Sequence, residues 1–136
     1  MARDKTDMNF RNEVASRPGG DRAPNCFLCG TCTAGCPISA LDGDFDPRLT
    51  MRRIFAGLKD EVLGGGAIWK CYQCHACTAH CPQDVRFSDI VRALRELSVE
   101  QGYFSAEISA RVDEANEEYR KKMLEKVKGL LGESAA

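Results

Sequence analysis

No cysteine of this 136-residue chain lies outside two short runs. No apolar stretch approaches the roughly 18 residues needed to cross a bilayer. Neither sign of charge dominates: 19 Lys and Arg stand against 20 Asp and Glu, for a formal charge of −1. Balanced charge gives nucleic-acid binding no electrostatic support. The polar first 22 residues contain no signal-peptide core, so a cytoplasmic location without direct membrane insertion is expected. The nucleotide-binding and hydrolase signatures GxGxxG, P-loop and GxSxG are all missing, as is any adjacent Cys-Cys-Gly element. The chain therefore offers no evident catalytic residues for transforming a substrate. Strand signals are also lacking, since Val85–Arg86–Phe87 is too short to count. An all-helical fold is expected.

What is present is the cysteine pattern. Cys26, Cys29, Cys32 and Cys36 precede Pro37, and Cys71, Cys74, Cys77 and Cys81 precede Pro82. Both runs read C-x2-C-x2-C-x3-C-P, at a constant offset along the chain. This is the bacterial spacing for paired [4Fe–4S] clusters, which carry one electron at a time. Three closely spaced thiolates grip three corners of a cubane. In two-cluster ferredoxins the fourth cysteine of each run serves the other cluster. Two ligand sets follow: Cys26, Cys29, Cys32 and Cys81 for cluster 1, and Cys71, Cys74, Cys77 and Cys36 for cluster 2. With two oxidised clusters of charge about −2 each, the loaded chain would carry about −5.

Competing readings fit less well. Structural zinc favours pairs of CxxC separated by a longer insert. Disulfide scaffolds belong to exported chains. His75 and His80 lie inside the second run, but four cysteines per cluster leave them tuning at most. Gly30 and Gly35 allow close backbone approach to the cluster sulfides. Phe27 and Tyr72 occupy matching places and are expected to shield the clusters from water. Lys70 and Arg86 are read as solvated charges near the second run.

Three segments are expected. Residues 1–24, with Pro18, Gly19, Gly20 and Pro24, read as a polar N-terminal arm, either mobile or docked on a partner. Residues 25–102 read as a duplicated core of cluster loop followed by helix. In the first half, Asp46 caps a helix begun by Pro47 and running to about Lys59, with Leu49, Met51, Ile54, Phe55 and Leu58 inward. In the second, Ser88 caps a helix with Ile90, Val91, Leu94 and Leu97 inward, ended by Gly102. The loops share Thr33–Ala34 and Thr78–Ala79, a mark of duplication. Residues 103–136 hold an amphipathic helix over 105–131, capped by Ser105. Its stripe is Ile108, Val112, Ala115, Tyr119, Met123, Val127 and Leu130. Such a face packs on its own core or docks on another subunit.

From Asn25 to Phe104 the sequence resembles the C subunit of heterodisulfide reductases and their bacterial relatives. The resemblance rests on CFLCGTCTAGCP at 26–37, the Asp46–Lys59 helix, IWKCYQCHACTAHCP at 68–82 and QDVRFSDIVRALRELS at 83–98. It implies an alpha-helical ferredoxin with two [4Fe–4S] clusters, and the eight cysteines carry over as ligands. It also implies a relay of electrons between an A-type flavoprotein and a B-type Cys-Cys-Gly subunit. Related modules occur in succinate dehydrogenase, fumarate reductase and glycolate-oxidase-type subunits, but their added plant-type [2Fe–2S] or Cys-Cys-Gly domains are missing here. The alternatives are a freely diffusing dicluster ferredoxin, or an iron–sulfur subunit of another flavin-linked dehydrogenase complex.

Overall fold

A computed structural model describes residues 5–133. The chain divides into two compact units, Met1–Phe104 and Ser105–Ala136. The described residues are helical or irregular, with no strand among them. The first unit contains seven helices: α1 (Phe10–Ala15), α2 (Thr31–Ala34), α3 (Pro37–Leu41), α4 (Pro47–Phe55), α5 (Lys59–Gly64), α6 (Ala76–His80) and α7 (Phe87–Glu100). Single 3₁₀ turns, Ala23–Asn25 and Ala67–Lys70, lead into the two cysteine runs. The second unit is one helix, α8 (Ala106–Leu130).

The core of the first unit is mainly apolar. Phe10, Val14, Phe45, Met51, Ile54, Leu63, Ile68, Ile90, Val91, Leu94 and Leu97 are fully buried, with Cys71 and Cys77 among them. The predicted inner face of α7 is thus correct in all four positions. Its ridge packs against α5 and α6 and the 3₁₀ turn before the second run, while the short α2 and α6 pack on each other. That pairing brings the two cysteine loops together.

Three local expectations need correction. Residues 5–24 are not a free arm: α1 sends Phe10 and Val14 wholly into the core. The Asp7 amide also donates to the Gly57 carbonyl at 2.8 Å. Gly57 has φ of +75°, and a Cβ there would lie 2.5 Å from the Asp7 carbonyl oxygen. Only glycine admits so close a strap. Low overall hydrophobicity concealed the two apolar residues that anchor the segment. The first four residues of that expected arm, and the last three of the expected C-terminal segment, lie outside the described residues.

Secondly, the helix begun at Asp46 and Pro47 ends at Phe55, not near Lys59. The Asp46 carboxylate accepts from the Leu49 amide at 3.0 Å, as expected of a cap. The left-handed Gly57 then turns the chain into a second helix, α5. Leu49 faces outward, and Thr50 is buried with Met51 and Ile54 instead. Thirdly, Ser88 is no cap. The helix starts at Phe87 after the left-handed Arg86, and Ser88 lies buried in its first turn.

In the second unit the Ser105 hydroxyl accepts from the Ile108 amide at 3.4 Å, capping α8 as expected. The helix carries ion pairs Glu117–Lys121 and Glu118–Lys122 on its polar side. On its apolar stripe Tyr119 is 58%, Met123 52% and Val127 44% exposed.

Candidate metal centre

The two cysteine loops share one backbone device. Leu28 and Gln73, at matching places, have φ of +62° and +59°; Gly30 and His75 have φ of +85° and +61°. Paired left-handed residues coil each loop, and in the first run Cys26, Cys29 and Cys32 line a common space. At one of these places the first run uses glycine, where the conformation costs nothing, and the second uses histidine. Strained backbone of this kind gathers at sites where geometry is fixed for function. His75 thereby serves as a turn residue. His80 is exposed, and a Cβ on Gly35 would lie 3.4 Å from its ring.

Around the sulfurs the structure supplies hydrogen-bond donors. The Leu28 amide donates to Cys26 Sγ at 3.4 Å, the Ser39 amide to Cys36 Sγ at 3.5 Å and the Val85 amide to Cys81 Sγ at 3.4 Å. Gln73 Nε2 donates to Cys71 Sγ at 3.5 Å. Hydroxyls meet two more: Thr31 Oγ1 lies 3.2 Å from Cys29 Sγ, and Ser88 Oγ lies 3.1 Å from Cys77 Sγ. Donors of this kind stabilise thiolates and metal-bound sulfur.

No disulfide joins any of the eight cysteines. Cys26, Cys29, Cys32, Cys77 and Cys81 line one cleft of about 440 Å³, with Phe27 and Met51 among its walls. Among the described residues, no three donors converge on a single-ion position. Soft thiol donors spaced around a volume suit a multinuclear sulfide cluster. Phe27 is 59% exposed, so it forms a wall of the cleft without closing it.

The thiols differ in acidity. Burial pushes Cys32 up to about 11, against hydrogen bonds from Thr33. Burial also raises Cys26, with Cys81 and Cys29 adding to the effect. Cys71 is raised by burial and by the neighbouring sulfurs of Cys77 and Cys36, while the Gln73 amide and Arg95 oppose the rise. Cys29 moves the other way, lowered chiefly by the Thr31 hydroxyl and amide, with a smaller contribution from Arg48. Cluster assembly removes these protons, so metal binding and proton release are linked.

Three functional side chains were not singled out for these roles from the sequence. Arg48 Nε donates to the Leu28 carbonyl at 2.7 Å, bracing the first loop. Ser88 reaches Cys77. Arg95, only 6% exposed, donates to the Ile68 carbonyl at 3.0 Å and to the Cys71 carbonyl at 2.6 Å, and stacks 5.3 Å from the Trp69 ring. The signal for Arg95 was available: it follows Val91 by four residues on the apolar stripe, where a charge requires a buried partner. Lys70 and Arg86 are paired, Lys70 with Asp42 at 2.6 Å and Arg86 with Asp84 at 3.1 Å.

Comparison with known proteins agrees with this geometry. Residues 22–85 match the 4Fe-4S dicluster domain family. The C subunit of the H(2):CoB-CoM heterodisulfide,ferredoxin reductase of Methanothermobacter thermautotrophicus is 34% identical over 99 residues, covering 73% of this chain and 52% of that protein. The iron-sulfur C subunit of the CoB--CoM heterodisulfide reductase of Methanopyrus kandleri is 40% identical over 80 residues, covering 59% of this chain and 41% of that protein. The second such C subunit of Methanocaldococcus jannaschii is 35% identical over 106 residues, covering 73% and 56%. The chain thus spans about half the length of the curated relatives it matches. No helix among the described residues is long and apolar enough to cross a membrane. With its helical scaffold and two cysteine runs, the chain is a heterodisulfide reductase C-like iron–sulfur subunit, an alpha-helical ferredoxin whose cofactors are two [4Fe–4S] clusters.

Proposed function

We propose that this chain is the electron-transfer subunit of a cytoplasmic heterodisulfide reductase-like complex, relaying single electrons between an A-type flavoprotein and a B-type Cys-Cys-Gly subunit. When bound, the clusters supply one-electron chemistry in which no bond to a substrate is made. The chain's own residues hold them: Cys26, Cys29, Cys32 and Cys81 around the first, and Cys71, Cys74, Cys77 and Cys36 around the second. The observation that carries this reading is the exchange of fourth cysteines. Cys81, together with Cys77, shares a cleft with the first three cysteines of the other run, and Cys36 lies close enough to Cys71 to act on its charge. The relatives named for heterodisulfide reduction support the complex and its reaction. The crossed cysteines staple the two loops, and the amide and hydroxyl donors steady the sulfurs.

Purification from native cells is expected to bring flavoprotein and Cys-Cys-Gly subunits with the chain. Isolation as a free monomer at cellular concentration would count against the complex. Cys36→Ala is expected to damage chiefly the cluster held by Cys71, Cys74 and Cys77, read by iron content and EPR. Loss confined to the other cluster would refute the crossed sets.

A further inference from the structure

Two side chains on α7 act on the second cysteine run from beneath, and neither has a buried counterpart under the first. Ser88, 1% exposed, places its hydroxyl 3.1 Å from Cys77 Sγ. Arg95, two turns further along, reaches the Cys71 carbonyl at 2.6 Å. The first run has matching chemistry, but it is at the surface: Thr31 meets the exposed Cys29, and Arg48 is exposed. A further sign of asymmetry comes from the duplicated threonines. Thr33 donates to Asp46 Oδ1 at 2.7 Å, whereas the buried Thr78 hydroxyl has no protein partner. A buried donor without an acceptor belongs where an acceptor is to be bound, and Thr78 directly follows Cys77.

We propose that α7, through Ser88 and Arg95, makes the second cluster the electron-accepting end of the pair. This rests on the crossed ligand sets proposed above. The balance is between two effects. Burial of Cys71 and Cys77 disfavours the extra negative charge of reduction. Buried donors and a permanently charged guanidinium favour it, and both act more strongly away from water. Thr31 and Arg48 work in solvent and are screened. The second cluster therefore titrates at the higher potential, and an electron entering at the first passes to the second. One electron is lost by the first cluster and gained by the second, with no proton or bond exchanged.

Potentiometric EPR on the iron-loaded full chain tests this. Cys29→Ser and Cys74→Ser, made separately, label the two signals, since a serine oxygen in place of one thiolate alters the spectrum of its own cluster. Labels falling on the same signal overturn the ligand sets, and this inference with them. With the labels separate, the Cys74-labelled cluster is expected at the higher potential. Arg95→Met is expected to lower it by at least about tenfold in reduced-to-oxidised ratio, which is about 59 mV for one electron. Ser88→Ala lowers it less, Arg95→Lys retains most of the native value, and the Cys29-labelled cluster moves least in all three. If Arg95→Met does not fold, Ser88→Ala decides, since it deletes a single oxygen from a helix. Labelled clusters in the opposite order, or a Ser88→Ala chain with both potentials unchanged, overturns the inference while leaving the ligand sets standing.

Discussion

The two cysteine runs are near copies in sequence, yet they rest on different foundations. Within and after the first run, α2 and α3 bury no residue, and the nine-residue α4 holds the loop through the part-buried bond of its cap Asp46 to Thr33 and the exposed Arg48. Within the second run Cys77 of α6 is buried, and after it the 14-residue α7 sends Phe87, Ile90, Val91, Leu94 and Leu97 into the core. Duplicated loops can fix the same cluster type while the helices beneath them set different environments. The ligand pattern determines which metal group is held; the packing determines how tightly its surroundings are fixed and how much water reaches it.

The largest consequence concerns metal removal. Chelation of iron under reducing conditions is expected to reduce hydrogen-exchange protection most across residues 26–41, where little apolar burial holds the chain, while leaving the loop folded. The amides of Phe87–Glu100 should keep most of theirs, because their aliphatic face stays packed. Equal loss in both regions would erase the contrast and make the metal the foundation of the whole unit.

A second test locates the core by mutation. Phe10→Ala is expected to destabilise the loaded protein by about 3–5 kcal/mol and Leu94→Ala by about 2–5 kcal/mol. Leu41→Ala, on α3 and 87% exposed, should stay within about 0.5 kcal/mol. Denaturant melts read all three. A small effect at Phe10 would return residues 5–24 to the status of an appendage; a large one at Leu41 would show that the first loop carries packing of its own.

Much of this division was legible in the sequence. Cysteine spacing identified the cluster type without reference to helices or burial, and the apolar positions of α7 followed from their three- and four-residue steps. The N-terminal helix was missed because only Phe10 and Val14 of its six residues are buried, too few for a periodic signal. The break between α4 and α5 was missed because Leu58 continues the apolar spacing, while the left-handed turn at Gly57 is fixed by its close approach to Asp7. Ser88 fitted a cap by local rules. Its contact with Cys77 depends on how α6 packs on α7, which one-dimensional spacing does not encode. Arg95 shows the same limit, since its partners Ile68 and Cys71 are set by tertiary packing.

The smallest expected effect lies within the first run and concerns the metal-free chain. Cys32 is raised from 9.0 to about 11 by burial. The folded state therefore holds that proton more tightly than the unfolded one. Its contribution to stability is complete below pH 9 and is lost as pH rises towards 11. Cys26 and Cys71 act in the same sense. Cys29, lowered by Thr31, has the opposite sign: it contributes above pH 9 and loses its contribution as pH falls through its folded value. Tyr103, raised to about 12 by its hydrogen bond to Asp60, adds a decline at the alkaline edge, between pH 10 and 12. Urea melts of the metal-free chain should thus show stability falling between pH 9 and 11. Cys32→Ala should flatten that fall, and Thr31→Val, which removes the hydroxyl beside Cys29, should leave it in place. A fall that persists undiminished in Cys32→Ala would assign the alkaline loss to other groups and remove the acidity contrast between the inner and outer cysteines of the first run.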